Sequence, residues 1–270
     1  MNIKGKIILI TGSSKGIGYA IAEACAKEGA KVIISSRNTK AVEEALQKLL
    51  AYGYEANGLS ADVCKNDDLL ALKEFAIGKY GRIDVWISNA GQSGGYLRLH
   101  DMTAEEINDV VNTNLTGTLL AAKIIIPYFI EQKGGILINL AGRGSNGEVT
   151  PFMTSYAATK AAVSSLTRCL AKEYKDFPIH IHALNPGMVD TDLIRQARTT
   201  PDLEQDLKNL PLVMNAFGGP AEKVGTFVVR MLKGNADRKT GKIYSVLTGI
   251  KLIRGIGLMS WHGMTGKMKR

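Results

Sequence analysis

Tyr156 and Lys160 are the two residues of this chain whose types and spacing most directly indicate chemistry. They lie four positions apart, and this spacing puts both side chains on one face of a helix. A tyrosine hydroxyl normally loses its proton near ~10, but a cation held beside it favours the phenolate and lowers that pKa toward neutrality. We therefore expect an acid/base pair that acts on a carbonyl or an alcohol.

A glycine-rich turn near the N-terminus predicts where an anionic ligand binds. Residues 7–10 are all apolar and read as a buried parallel strand, and residues 19–27 continue with helical periodicity. Glycines between them permit a tight turn and a close approach of backbone N–H groups to a phosphate. The residues of this turn that we expect to bind a dinucleotide are Gly12, Ser14, Lys15, Gly16, Ile17 and Gly18.

The end of the second predicted strand, 31–36, indicates which dinucleotide is bound. An NAD-binding protein places a carboxylate there, which accepts a hydrogen bond from the ribose 2′-hydroxyl. In this chain the strand is followed by Arg37. Arg37 and Lys15 would attract a 2′-phosphate, whereas a carboxylate would repel it. We therefore predict NADP(H) as the cofactor; the alternative is that both residues are solvated surface cations.

Further polar groups are expected at the same edge of the sheet. Residues 83–87 form a strand followed by residues 89–91, which are small or polar and let a ligand approach the backbone. One long helix is predicted to begin at the capping box of Thr103 and to be kinked at Pro127. It carries Asn112 and Asn114 in an otherwise apolar stretch, and a buried amide must find polar partners. One of these two asparagines is therefore a candidate for the chemistry.

Strands alternate with helices along the chain, and this order predicts an α/β fold. We expect a single domain over residues 1–270, built as a Rossmann-type doubly wound parallel sheet with helices on both faces. Ligands would bind outside the carboxyl ends of the strands. Residues 190–220 form the longest irregular segment and predict a substrate lid. Residues 250–270 form a C-terminal tail that could touch a membrane surface or pack at a subunit interface.

Composition favours a globular protein without nucleic acid or metal. The 270 residues are 45% hydrophobic and 22% charged, which is typical of a soluble protein with one sizeable core. Three scattered cysteines predict reduced thiols, a cytoplasmic location and no metal site. The net charge of +9 is spread along the chain, so we expect no nucleic-acid partner. The short apolar run at the N-terminus predicts neither a secretory signal nor a transmembrane segment.

Six motifs, taken in their order along the chain, resemble those of the short-chain dehydrogenase/reductase family. They are Thr11-Gly12-(x3)-Gly16-x-Gly18, Asp62-Val63, Asn89-Ala90-Gly91, Asn114, Tyr156-(x3)-Lys160 and Pro186-Gly187-(x3)-Thr191. The resemblance implies that Tyr156 is the acid/base, that Lys160 lowers its pKa and holds the nicotinamide ribose, and that Asn114 positions a water. It also implies cofactor contacts beyond the glycine-rich turn, from Asp62, Val63, Asn89, Ala90, Gly91, Pro186, Gly187, Val189 and Thr191. We further expect a homodimer or a homotetramer.

One residue of that family's catalytic set is missing. The family places a serine just after the fifth strand, where this chain has Ala141 and Gly142. Losing one hydrogen-bond donor to the substrate oxygen typically costs about 10²- to 10³-fold in rate. The nearest hydroxyl is that of Ser145, which we expect to orient the substrate carbonyl, with Gly142→Ser partly rescuing its loss. The alternative is that Ser145 only caps a turn.

A narrower resemblance concerns the substrate. Short motifs at 86–91, 142–145, 150–151, 186–191 and 247–251 resemble the chlorophyll(ide) b reductase branch, which also departs from the usual serine. The resemblance implies NADPH-dependent reduction of an aldehyde or ketone on a fairly large apolar substrate. Two alternatives stay open: a reductase of lipid, steroid or 3-oxoacyl carbonyls, and a catalytically silent NADP(H)-binding sensor or scaffold.

Overall fold

The computed structural model describes residues 1–195, 197–208, 210–234 and 236–247. Its centre is a seven-stranded parallel sheet with the strand order β3-β2-β1-β4-β5-β6-β7. The strands are β1 Ile7–Thr11, β2 Lys31–Ser36, β3 Ala56–Ser60, β4 Val85–Ser88, β5 Gly135–Leu140, β6 Ile179–Asn185 and β7 Ile243–Ser245. Because the chain crosses from β3 back to the other side of β1, a crevice opens between β1 and β4 at their carboxyl ends.

Ten α-helices connect these strands within the described ranges. They are α1 Gly16–Lys27, α2 Thr39–Ala51, α3 Asn66–Tyr80, α4 Ala104–Val111, α5 Gly117–Glu131, α6 Thr154–Glu173, α7 Asp192–Arg195, α8 Glu204–Leu207, α9 Leu210–Phe217 and α10 Ala221–Lys233. The predicted doubly wound parallel sheet with helices on both faces is confirmed. The 250–270 tail and its two predicted roles lie outside the described residues.

Burial on both faces of the sheet explains why its strands are continuously apolar. All five residues of β1 are buried. Successive side chains of a strand point to opposite faces, so Ile8 and Ile10 pack with α1, α2 and α10. Leu9 belongs to a second core, which Trp86 shares with α3, α5 and α6. The sheet is therefore a rigid platform, and the residues at its strand ends have fixed positions.

The long helix predicted from Thr103 is interrupted. Thr103 does form the capping box, because its Oγ1 accepts from the Glu106 N–H at 3.2 Å and Glu106 Oε2 accepts from the Thr103 N–H at 2.9 Å. Between α4 and α5, however, Asn112–Thr116 forms a π-helical segment. Such insertions of one wider turn frequently mark functional sites. Here the wider turn holds Asn114.

The 190–220 segment is partly helical, so the prediction that it is irregular throughout was wrong. It contains α7, α8 and α9. Pro211 lies in the first turn of α9, where its missing N–H leaves no helical hydrogen bond unmade. Isolated bridges connect Tyr96 with Thr199 and Val189 with Gly219. The segment is thus attached both at its base and to the loop after β4.

Within the described residues, one helical stretch has the length and apolarity to cross a bilayer. It is Ala104–Glu131, with 28 residues. Of the most apolar 18-residue window of this stretch, 56% is buried inside the protein. Core helices of globular domains have the same character, so this is weak support for a membrane span.

Candidate active site

A cavity of about 730 Å³ opens at the carboxyl ends of the central strands. Fifteen of the sequence-predicted site residues line it: Gly12, Ser14, Lys15, Gly16, Ile17, Gly18, Arg37, Val63, Asn89, Ala90, Gly91, Tyr156, Lys160, Pro186 and Thr191. Asp62, Asn114, Ser145, Gly187 and Val189 do not line it. Sequence reasoning missed Gln92, Thr113, Asp190, Asp192 and Arg195, which also line the cavity.

The glycine-rich turn is built to bring backbone close to a ligand. Gly12 has a φ of +61°, and a Cβ placed on it would lie 2.6 Å from the Cα of Ala90. A Cβ on Gly18 would lie 2.5 Å from Asn89 Nδ2. That amide nitrogen donates to the carbonyl oxygens of Thr11 and Gly12, at 2.9 and 2.8 Å. The turn is therefore locked onto the end of β4 at the N-terminus of α1, an arrangement that fits a dinucleotide diphosphate.

The two cations at the ribose end have different surroundings. Arg37 lines the cavity and makes no ion pair with the carboxylates of the described residues. Lys15 Nζ, by contrast, pairs with Asp192 at 2.8 Å. The structure therefore supports Arg37 as an anion-binding group, but it shows Lys15 already engaged with a carboxylate, which the sequence did not indicate.

Asp62 and Val63 follow β3 and play different parts. The Asp62 carboxylate accepts from the N–H of Cys64 at 3.0 Å, which shapes the turn, and its own N–H donates to Asp68 at 2.8 Å. Asp62 therefore fixes the turn without lining the cavity. Val63 lines the cavity and packs against Gly117, where a Cβ would lie 2.9 Å from Val63 Cγ2.

Asn114 is fully buried and cross-links the site from behind. Its Oδ1 accepts from the Gln92 N–H at 2.8 Å, and its Nδ2 donates to the Gln92 carbonyl at 2.9 Å and to Thr159 Oγ1 at 3.0 Å. These bonds tie the loop after β4 to α6. Because both polar atoms of the side-chain amide bond to protein groups, the structure shows Asn114 as a positioning residue; the predicted water contact stays a prediction.

Burial, and not the neighbouring ammonium, dominates the pKa of Tyr156. The Lys160 side chain is buried, and its Nζ donates to the Leu140 carbonyl oxygen at 2.8 Å. It lies 5.6 Å from the centroid of the Tyr156 ring. Desolvation raises the pKa of Tyr156 to about 12 and lowers the pKa of Lys160 to about 8. The expected lowering of the Tyr156 pKa by Lys160 is therefore not what the structure shows.

Gly142 lies against the Tyr156 hydroxyl. A Cβ on Gly142 would be 2.5 Å from that hydroxyl oxygen and 3.3 Å from Lys160 Cγ. A serine at this position therefore cannot be added without displacing Tyr156 or the loop. The structure therefore argues against the expected rescue by Gly142→Ser, because the space for a side chain is taken up by the group it was meant to assist.

Ser145 is buried in a turn and does not face the cavity. Its N–H donates to the Gly142 carbonyl at 3.1 Å, and its Oγ accepts from Asn185 Nδ2 at 3.3 Å. Asn185 is the last residue of β6 and lies 40 residues from Ser145 in the sequence, so only the fold reveals the contact. Its burial and these bonds favour the alternative of a turn residue, and the role of Ser145 in orienting the substrate carbonyl stays a prediction.

We expect Ser145→Ala to leave kcat within about twofold of wild type. The substitution removes the acceptor of the Asn185 amide, which should lower the free energy of unfolding by about 1 kcal/mol. Urea unfolding and steady-state kinetics of the same preparation measure the two effects. A kcat at least tenfold lower than wild type, with an unchanged free energy of unfolding, would show that Ser145 takes part in the reaction.

Two aromatic side chains, one from the loop after β4 and one from the segment before α6, pack together. Tyr96 and Phe152 pack with ring centroids 5.0 Å apart. The Tyr96 N–H donates to the Arg198 carbonyl at 2.8 Å, and the Leu97 N–H donates to the Phe152 carbonyl at 2.7 Å. The Arg198 guanidinium pairs with Glu106 at 2.7 Å. The chain around Arg198 is thus attached to the loop after β4 and to α4.

Comparison with known proteins identifies the family. The family model described as short chain dehydrogenase matches residues 6–202. The chloroplastic chlorophyll(ide) b reductase NOL of Arabidopsis thaliana is 36% identical over 253 residues, covering 90% of this chain and 70% of that protein.

Two solved structures share the fold. The 3-ketoacyl-(acyl-carrier-protein) reductase from Brucella melitensis, complexed with NADH, superimposes with a TM-score of 0.81 at 28% identity, covering 92% of this chain and 99% of that one. A single-residue variant of actinorhodin polyketide ketoreductase with NADPH has a TM-score of 0.80 at 25% identity, covering 92% and 97%. Together with the glycine-rich cradle and the paired Tyr156 and Lys160, these matches show that the chain belongs to the short-chain dehydrogenase/reductase family of oxidoreductases, near the chlorophyll(ide) b reductase branch.

Proposed function

We propose that this protein is an NADPH-dependent reductase of an aldehyde or ketone on a fairly large apolar substrate. The observation that carries the proposal is the cavity itself. At one end it has a dinucleotide cradle beside Arg37, which pairs with no carboxylate of the described residues, and at the other end it has Tyr156 with Lys160. Leu140 and Leu193 also line the cavity, and these apolar side chains support an apolar substrate.

The residues around the cavity fit a nicotinamide dinucleotide. The glycine-rich turn would hold the diphosphate, Val63 the adenine, and Pro186 with Thr191 the nicotinamide end. When bound, the nicotinamide supplies the hydride that reduces the carbonyl carbon. Tyr156 donates its proton to the developing alkoxide, and a pKa of about 12 keeps that proton on the hydroxyl at neutral pH until the alkoxide forms.

Lys160 and Asn114 support the proton transfer without donating the proton to the substrate. With a pKa of about 8, the Lys160 ammonium is mostly protonated at pH 7 yet can release a proton, which suits a group that restores the proton of Tyr156. Its bond to the Leu140 carbonyl fixes the ammonium at the end of β5. Asn114 holds the loop carrying Gln92 against α6, so the two walls of the site keep their spacing.

We expect Arg37→Asp to move cofactor preference from NADPH toward NADH by at least about tenfold in the ratio of kcat/KM values. The new carboxylate would repel the 2′-phosphate and offer an acceptor to the 2′-hydroxyl of NADH. Lys40→Asp is the matched control, because it makes the same charge change on the exposed start of α2. An unchanged ratio in Arg37→Asp, or an equal shift in Lys40→Asp, would remove Arg37 from cofactor recognition.

For the substrate, we propose a formyl or keto group on a flat apolar ring system, as the name of the chlorophyll(ide) b reductase relative suggests. The alternative, a 3-oxoacyl carbonyl, is favoured by the likeness to the Brucella reductase. NADPH oxidation with a formyl-bearing tetrapyrrole, a steroid ketone and a 3-oxoacyl thioester distinguishes them. Turnover of the tetrapyrrole alone supports the first substrate class.

If none of these substrates is turned over while NADPH still binds tightly, the result would support the third function, a cofactor-binding sensor. The observation favouring a sensor is the absence of a serine at Gly142. The paired Tyr156 and Lys160 favour the enzyme. A cytoplasmic location and a homodimer or homotetramer remain part of the proposal; light scattering of the purified protein measures the subunit number.

A further inference from the structure

An ion pair spans the mouth of the cofactor cavity. Lys15 belongs to the glycine-rich turn, and Asp192 is the first residue of α7. Lys15 Nζ lies 2.8 Å from Asp192 Oδ2, and both residues line the cavity. The Lys15 ammonium, which holds the pKa of Asp192 below its usual range, thus connects the cradle to the 190–217 segment.

A second carboxylate on the same rim has a different partner. Asp190 accepts two hydrogen bonds from the Arg195 guanidinium, both 2.7 Å long. Asp190 and Arg195 also line the cavity. Two carboxylates thus lie two positions apart at one edge, and of these two Asp192 is the one that engages a cation of the glycine-rich turn.

We propose that Asp192 is a specificity-determining residue, which competes with the 2′-phosphate of the cofactor for the Lys15 ammonium. Lys15 is a point charge on a flexible stem, so it can turn from one anion to another. Its side chain is 71% exposed and that of Asp192 is 43% exposed. An exposed pair of this kind is weak, and a phosphate that carries more charge can displace the carboxylate.

The competition acts on one cofactor only. NADH has no 2′-phosphate, so Lys15 stays with Asp192 when NADH binds. When NADPH binds, its 2′-phosphate must draw Lys15 away from Asp192 or share it, so the Lys15–phosphate contact adds less to the affinity for NADPH. Asp192 therefore reduces the ratio of NADPH affinity to NADH affinity that Arg37 and Lys15 create. This inference rests on the proposed function, because it assumes a 2′-phosphate site at Arg37 and Lys15.

The test is direct binding of both cofactors, which requires no substrate. The dissociation constants of NADPH and NADH are measured by fluorescence for wild type, Asp192→Asn and Asp190→Asn. Asp192→Asn is expected to tighten NADPH binding by about twofold to fivefold relative to NADH, the range expected for one exposed ion pair. Asp190→Asn removes the same charge from the same rim, so it measures the general electrostatic effect on the more highly charged NADPH; the shift of the NADPH/NADH ratio should be clearly smaller than in Asp192→Asn.

A double-mutant cycle shows whether the effect passes through Lys15. In a Lys15→Gln background, Asp192→Asn should no longer change the NADPH/NADH ratio. An unchanged ratio in Asp192→Asn, or the same shift with Lys15→Gln present, overturns the inference. The proposed NADPH preference fails separately, if wild type binds NADH as tightly as NADPH and Arg37→Asp leaves the ratio as it was.

Discussion

Tyr156→Phe is expected to lower kcat by at least about 10²-fold while leaving the NADPH dissociation constant within about twofold of wild type. The substitution keeps the ring, its packing and the Lys160 position, and it removes the hydroxyl that donates the proton to the alkoxide. The cradle that would hold the diphosphate lies at the other end of the cavity. Stopped-flow hydride transfer and cofactor fluorescence measure the two quantities.

Tyr19→Phe is the matched control for this variant. Tyr19 also lines the cavity, but on α1 behind the glycine-rich turn, so its hydroxyl is not placed to protonate a carbonyl. We expect Tyr19→Phe to keep kcat close to wild type. If Tyr156→Phe retains more than about a tenth of the wild-type kcat, Tyr156 is not the general acid.

Gly142→Ser is expected to lower kcat by about 10²-fold, although it places a hydroxyl at the position where the family has one. Its Cβ would lie 2.5 Å from the Tyr156 hydroxyl oxygen, so the tyrosine must move by roughly 1 Å, and a misplacement of that size can cost about 10²-fold in rate. Gly142→Ala should be equally damaging, because the Cβ is the cause. Steady-state kcat at saturating NADPH measures both variants.

Two comparisons separate the effect of the Gly142 Cβ from other effects of the substitution: one with Gly78→Ser and one between the two Gly142 variants. Gly78→Ser, in α3, is a control for the general cost of replacing a glycine, since a Cβ there has no atom within 4 Å. It should leave kcat unchanged. A Gly142→Ser enzyme that is faster than wild type, with Gly142→Ala slower, would show that the loop yields and that a hydroxyl at this position assists the reaction.

The amino-acid sequence by itself determined the sheet and most of the cofactor cavity. Alternating apolar strands and amphipathic helices are local patterns, and the carboxyl ends of parallel strands meet at one edge whatever the details of packing. Gly12, Arg37 and Asn89 directly follow such strands, so their meeting in one cavity could be predicted. The four-residue spacing of Tyr156 and Lys160 is local in the same way.

Contacts between segments far apart in the chain were decided only by the tertiary structure. Ser145 finds Asn185 and Lys15 finds Asp192 across 40 and 177 residues. No local spacing in the sequence indicates such pairs, because they depend on how the loops pack against the folded sheet. The π-helical turn at Asn114 likewise depends on the packing of α4 and α5 against their neighbours.

The protonation behaviour of the site was also decided by the tertiary structure. From the sequence, a lysine one helical turn from a tyrosine predicts a lowered tyrosine pKa. In the folded protein the Lys160 ammonium is directed to the Leu140 carbonyl, and desolvation raises the Tyr156 pKa to about 12. A charge–charge effect can be read from spacing, but burial is a property of the whole packed molecule, and at Tyr156 burial is the larger of the two.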